Sequence, residues 1–137
     1  MNYVDTFIQI APDSKALEPV VPRPRGGRRS VACVEFDLIS GNPYRFTQEE
    51  IQFLVFLERE GISRPKKPSR HRLWDSFFAK PRACLRSSPL PKNYGWGLHF
   101  DNEGKVAVVG MATPEYDRFA SAKLDQKCAL RSRRARG

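Results

Sequence analysis

A chain of 137 residues, 40% hydrophobic and carrying nine Phe, four Tyr and two Trp, is long enough to bury one core and too apolar to be disordered throughout. Its net charge of +9 suits an anionic partner, and no apolar run approaches the roughly 20 residues that span a bilayer. Cys33, Cys84 and Cys128 are widely spaced and odd in number, which argues against a disulfide scaffold and for a reducing cytosol.

The chain begins Met1-Asn2-Tyr3-Val4-Asp5, with neither the basic start nor the apolar run of a secretory signal, so the expected localisation is cytoplasmic and no membrane partner is expected. Tyr3 to Ile10 alternates β-prone residues and predicts a strand. Residues 11–29 hold four prolines, two glycines and Arg23, Arg25, Arg28 and Arg29, the composition of an extended loop. Ser30 is a helix cap, and Val31, Val34, Glu35 and Leu38 follow helical spacing up to the stop signal Gly41-Asn42-Pro43. The β-branched start of that run leaves a strand as the alternative.

Thr47-Gln48-Glu49-Glu50 is a capping box, and Phe46 with Ile51 completes a hydrophobic staple. The helix that follows is apolar on most sides and should be deeply buried until Gly61 ends it. Residues 62–68 form a loop. A short helix then runs from Ser69 to Lys80, with Leu73, Trp74, Phe77 and Phe78 as its buried stripe. Arg70, His71 and Arg72 in its first turn oppose the helix dipole, an arrangement that suits a nearby anion.

Residues 84 to 95 read as an irregular lead-in to a hairpin. Trp96, Leu98 and Phe100 share one face of its first strand, and Gly95, Gly97 and His99 share the other. Asp101-Asn102-Glu103-Gly104 suits a type I turn closed by a left-handed glycine, and Lys105 to Val109 is the return strand. The paired glycines mark a close approach, either by a covering helix or chain or by a ligand. Thr113-Pro114-Glu115 starts a last helix with Tyr116, Phe119 and Ala120 inward. Fraying is expected from Lys123, and disorder after about Cys128. Trp74 and Trp96 are both expected to be mostly buried.

Several of these stretches, taken in order, resemble a known family of small microbial proteins. They are Met1-Asn2-Tyr3-Val4-Asp5-Thr6-Phe7-Ile8, Asn42-Pro43-Tyr44, Cys84-Leu85-Arg86-Ser87-Ser88-Pro89-Leu90 and Tyr94-Gly95-Trp96-Gly97-Leu98-His99. The family is DUF6157, a domain of unknown function, and the resemblance covers roughly residues 1 to 121. It implies no activity, cofactor or site residue. The chain departs from the family pattern in its basic segments around Arg23–Arg29 and Arg64–Arg72 and in its C-terminal tail.

No phosphate loop, zinc-finger spacing, nucleophile elbow or HExxH occurs. Cys84 and His99 are a nucleophile and a base by type, but nothing places them together and no orienting acid is signalled. Cys84, His99 and His71 lack the short-spaced pairs of a structural zinc site. Arg86, Ser87, Ser88, Lys92 and His99 beside Tyr94 and Trp96 make the better constellation. Arginine can grip an anion with two hydrogen bonds, serine hydroxyls can donate, and aromatic rings offer a flat wall. The competing reading makes Arg86 an ion-pair partner, Ser87–Pro91 a loop, and Tyr94 and Trp96 core.

The charge is uneven. Lys127, Arg131, Arg133, Arg134 and Arg136 sit in the last eleven residues with no acid, and removing that tail takes the charge from +9 to +4. The expected fold is α+β: a small antiparallel sheet, built from the N-terminal strand and the C-terminal hairpin, packed on three or four helices. It forms a single domain over 1–122, with a basic, flexible tail over 123–137. The expected function is a cytoplasmic binding module for an anionic small molecule or protein, with Arg86, Ser87, Lys92, Tyr94, Trp96 and His99 as ligand-binding residues. The alternative is nucleic-acid binding through the basic loops and Arg131, Arg133, Arg134 and Arg136. A thiol- or histidine-dependent enzyme ranks last. No catalytic residue, cofactor or metal is expected.

Overall fold

The Thr47 hydroxyl accepts the Glu50 N–H at 3.3 Å, and the Glu50 carboxylate accepts the Thr47 N–H at 3.1 Å. The reciprocal cap that the sequence encodes is therefore formed in the computed structural model, which describes residues 2–24, 26–27, 29–63 and 69–132. The elements in chain order are β1 (Thr6–Gln9), α1 (Val31–Ser40), α2 (Gln48–Arg59), α3 (Ser69–Phe78), a single 3-10 turn (Leu85–Ser87), α4 (Pro89–Asn93), β2 (Trp96–Phe100), β3 (Val106–Gly110), α5 (Pro114–Ser121) and β4 (Asp125–Cys128).

The strands form one mixed sheet in the order β3-β2-β1-β4. β1 and β2 are antiparallel, with Phe7 opposite His99, and β2 and β3 make the predicted hairpin. Gly104 closes its turn at φ +78, and the Asp101 carboxylate accepts the N–H groups of Glu103 and Lys105. The fold class is α+β, as expected.

Period two sorts the side chains of the sheet onto two faces. Ile8, Leu98, Phe100 and Val106 point to the helical side and pack with Val34 and Ile39 of α1, Ile51 of α2 and Leu90 of α4. A second cluster, Phe53, Leu54, Leu57 and Phe77, joins α2 to α3. Each fully buried large side chain contributes about 1.5–3 kcal/mol of hydrophobic stabilisation. Phe7 and His99 point to the other face, where Tyr116 and Phe119 of α5 cover them. A methyl group on Gly97 would stand 2.8 Å from Phe7 Cζ and 2.9 Å from Tyr116 Cε2. The close approach marked by that glycine is thus the covering helix.

Three expectations need correction. The first strand is Thr6–Gln9 rather than Tyr3–Ile10, because Asp5 takes a left-handed φ of +46 while its N–H bonds to the Asp101 carbonyl. The lead-in to the hairpin is not irregular: Ser88 caps α4, with Pro89 at its first position. Residues after Lys123 do not fray at once. Asp125–Cys128 pairs parallel with β1, so the sheet has four strands and is mixed rather than antiparallel. Asp125-Gln126-Lys127-Cys128 has little strand propensity, and the free edge of β1 supplies the order by backbone hydrogen bonding. Ala129 just beyond is 2% exposed. Trp74 and Trp96 are mostly buried, as expected, each keeping a partly exposed edge, as the size of the indole ring often dictates. Residues 133–137 of the expected tail, 64–68 of the expected second loop, and Arg25 and Arg28 of the first lie outside the described residues. Among the described residues no helix is long and apolar enough to cross a membrane.

Candidate functional site

Val31 and Glu35 are one turn apart on α1 and face the same way. Ser30 starts that helix by accepting the Cys33 N–H, which sets the phase of both residues. Opposite them, Gln52, Val55 and Phe56 share a face of α2. The far wall is the segment from Arg82 to Pro89. Together with Phe77 these elements line a cavity of about 300 Å³ that opens to solvent.

The third wall is held by side chains rather than by packing alone. Gln48 Oε1 accepts the Leu85 N–H at 2.8 Å, and one turn further along α2 the Gln52 amide donates to the Ala83 carbonyl. The Tyr3 hydroxyl donates to Cys84 Sγ at 3.1 Å. Arg82 lies over the Phe77 ring, 3.9 Å from its centroid, and its Nε donates to the Phe77 carbonyl at 2.9 Å.

Glu35 and Ser88 are the polar centre of the cavity. Glu35 is 6% exposed and Ser88 4%. The Ser88 hydroxyl donates to Glu35 Oε1 at 2.7 Å while its oxygen accepts the Leu90 N–H at 3.1 Å. Burial pushes the Glu35 carboxyl up to about 7, and the Ser88 bond pulls it only partly back. A carboxyl that changes charge near neutral pH inside an apolar wall can hold a hydrogen-bonding or charged group of a ligand. Burial, followed by the bond to Cys84, pushes the Tyr3 phenol up to about 12, so Tyr3 serves as a donor.

The expected site residues do not line one cavity. Among Arg86, Ser87, Lys92, Tyr94, Trp96 and His99, only Ser87 faces this cavity. Arg86 turns toward β4, where its Nε donates to the Cys128 carbonyl at 2.8 Å and its own carbonyl accepts the Leu130 N–H. Lys92 is half-buried on α4. Tyr94 packs on the main core, and its carbonyl accepts the Val20 N–H. The Trp96 indole donates to the Val20 carbonyl at 2.9 Å, and its ring lies 5.0 Å from that of Phe36.

His99 is on the opposite face of the sheet. It stacks on Phe119 with ring centroids 4.1 Å apart, and its Nδ1 is 2.7 Å from the Tyr44 hydroxyl. Burial lowers its pKa, against the opposing pull of Asp101, Asp5 and Glu115. Cys84 lies on the helical side through Tyr3, whose ring packs on Phe100, so the sheet separates the thiol from the imidazole. A Cys84–His99 dyad is not formed.

Helical spacing puts Glu35 on one face of α1 without marking it as a site. The signal in the sequence is an acid one turn from Val31 in an otherwise apolar stripe. Ser88 before Pro89 is likewise legible as a cap, but nothing local shows that its hydroxyl reaches a residue 53 positions away.

A family model described as "Family of unknown function (DUF6157)" matches residues 1–135, and the chain belongs to that family. No curated protein and no solved structure matches the chain.

Proposed function

We propose that this DUF6157 member is a small-molecule-binding module whose ligand occupies the cavity between α1, α2 and residues 82–89. The observation that carries this reading is Glu35: a carboxyl 6% exposed, lining a largely apolar cavity of about 300 Å³. That size falls at the lower end of ordinary ligand pockets, which are apolar with a few placed polar groups. The polar groups here are Glu35, Gln52, Arg82, Cys84, Ser87 and Ser88. This reading keeps Ser87 from the expected set and moves the site away from Lys92–His99. A cytoplasmic location remains part of the proposal.

The test is a fragment titration followed by amide chemical shifts of the full chain. Shifts clustered on Glu35, Val55, Leu85 and Ser87 are the expected result. Shifts confined to Lys92–His99 would return the site to the hairpin. No saturable shift around the cavity would end the reading.

The charge of +9 favours a second reading, polyanion binding through the basic loops and the C-terminal residues. Arg131 is exposed, and Arg133, Arg134 and Arg136 lie outside the described residues.

A further inference from the structure

We infer that the ligand is an apolar molecule carrying one basic nitrogen, an alkyl- or aralkyl-amine whose ammonium meets Glu35 while its hydrocarbon body covers Val31, Val55, Phe77 and Leu85. The inference rests on the cavity being a ligand site and names the class of ligand.

Glu35 is the one carboxyl among the cavity's polar groups, and it keeps most of its bonding capacity unspent. The ionisable groups lining the cavity are Glu35, Arg82 and Cys84. Arg82 lies flat on Phe77 with its Nε given to a carbonyl, and Cys84 takes the Tyr3 hydroxyl. Ser88 donates to Glu35 and accepts from Leu90, so its hydroxyl is used in both directions. The Glu35 carboxyl is different. Two carboxylate oxygens have room for about four hydrogen bonds, and Ser88 is its one donor among the described residues. What remains is acceptor capacity and, when ionised, a negative charge in an apolar wall. Such a charge is costly unless it is paired, and a ligand ammonium is its complement. A carboxylate or phosphate ligand would instead meet a like charge.

The neighbouring charges do not supply the partner. Asp37 of α1 and Glu58 of α2 are both held by Arg29 on the outside, and Lys92 of α4 does not line the cavity. Arg82, Cys84 and Tyr3 are the charged or titratable groups on the remaining sides: Arg82 is exposed and lies on Phe77, Cys84 and Tyr3 bond one another, and only burial and the Ser88 bond act on the Glu35 carboxyl. Because burial holds the free carboxyl protonated up to about pH 7, an ammonium must wait for it to ionise. Affinity for an amine should therefore rise with pH through that value and level off above it.

Three matched probes test this on the full chain by calorimetry and amide shifts: 4-phenylbutylamine, 4-phenylbutan-1-ol and 4-phenylbutanoate. At about pH 8 the amine should bind about tenfold or more tighter than the alcohol, and at about pH 6 that advantage should shrink about tenfold. Glu35→Gln should abolish the advantage and keep the affinity for the alcohol. Ser87→Trp, which leaves the Glu35–Ser88 bond in place, should block all three, and this second variant serves if Glu35→Gln fails to fold. An alcohol that binds as tightly as the amine at pH 8 overturns the amine class and leaves the cavity reading standing. A tighter butanoate overturns it in favour of an anion. Failure of all three probes to shift cavity amides overturns both.

Discussion

Ser88 Oγ stands 2.7 Å from Glu35 Oε1, and this bond ties the middle of α1 to the cap of α4 across 53 residues of chain. One hydroxyl thus caps one helix and restrains a buried acid on another. Losing it would leave an uncapped helix and a carboxyl without its donor.

The titration of Glu35 predicts how stability depends on pH. The carboxyl moves from 4.5 to about 7 on folding, so between those values the folded chain keeps a proton that the unfolded chain has released. The contribution is fully favourable below about pH 4.5, is lost as pH rises to about 7, and is constant above that. The loss should total about 3 kcal/mol. Urea denaturation of the protein and of Glu35→Gln at about pH 5 and pH 8 should show the parent losing about 2.5 kcal/mol more, since part of the loss falls below pH 5. Equal losses in both proteins would mean that Glu35 does not titrate in this window.

Arg86→Ala should cost about 1–3 kcal/mol, the worth of one hydrogen bond from a charged donor to the Cys128 carbonyl. The backbone bond from Leu130 to the Arg86 carbonyl survives the change. Among the described residues no carboxylate pairs with Arg86, so the roughly 3–5 kcal/mol of a broken buried ion pair is not expected. Chemical denaturation separates the two magnitudes. Probe binding in the cavity should be unchanged.

Gly97→Ala should destabilise the chain by about 1–3 kcal/mol, because its methyl meets Phe7 and Tyr116. Shortening Phe7 in the same chain should recover part of the loss by making room. A neutral Gly97→Ala would show that α5 does not press on this face of the sheet.

Polyanion affinity should reside largely beyond Leu130. Deleting residues 131–137 removes Arg131, Arg133, Arg134 and Arg136 and lowers the net charge from +9 to +5. The salt needed to elute the chain from a heparin column should drop. Any salt slope of nucleic-acid binding should flatten by about one unit for each phosphate the shortened chain no longer neutralises. An unchanged elution would place the basic surface elsewhere.

The sequence alone determined the elements whose causes are local. Capping of α2 needs only Thr47 and Glu50, three residues apart. The Gly104 turn needs only Asp101 and a residue free to take positive φ. The starts of α1 and α5 are each written in one cap residue, Ser30 and Thr113. Alternation along β2 assigned Leu98 and His99 to opposite faces, and they lie there. Tertiary structure decided everything that depends on partners distant in sequence. β4 exists because β1 offers an open edge, and Asp125–Cys128 carries no propensity that would announce it. Arg86 looks like a free loop cation until β4 supplies the Cys128 carbonyl. The cavity is assembled from α1, α2 and residues 82–89, so no single stretch displays it. Glu35 itself is one acid in a helical stripe. Its altered acidity is a property of burial, and burial is conferred only when the other two walls arrive.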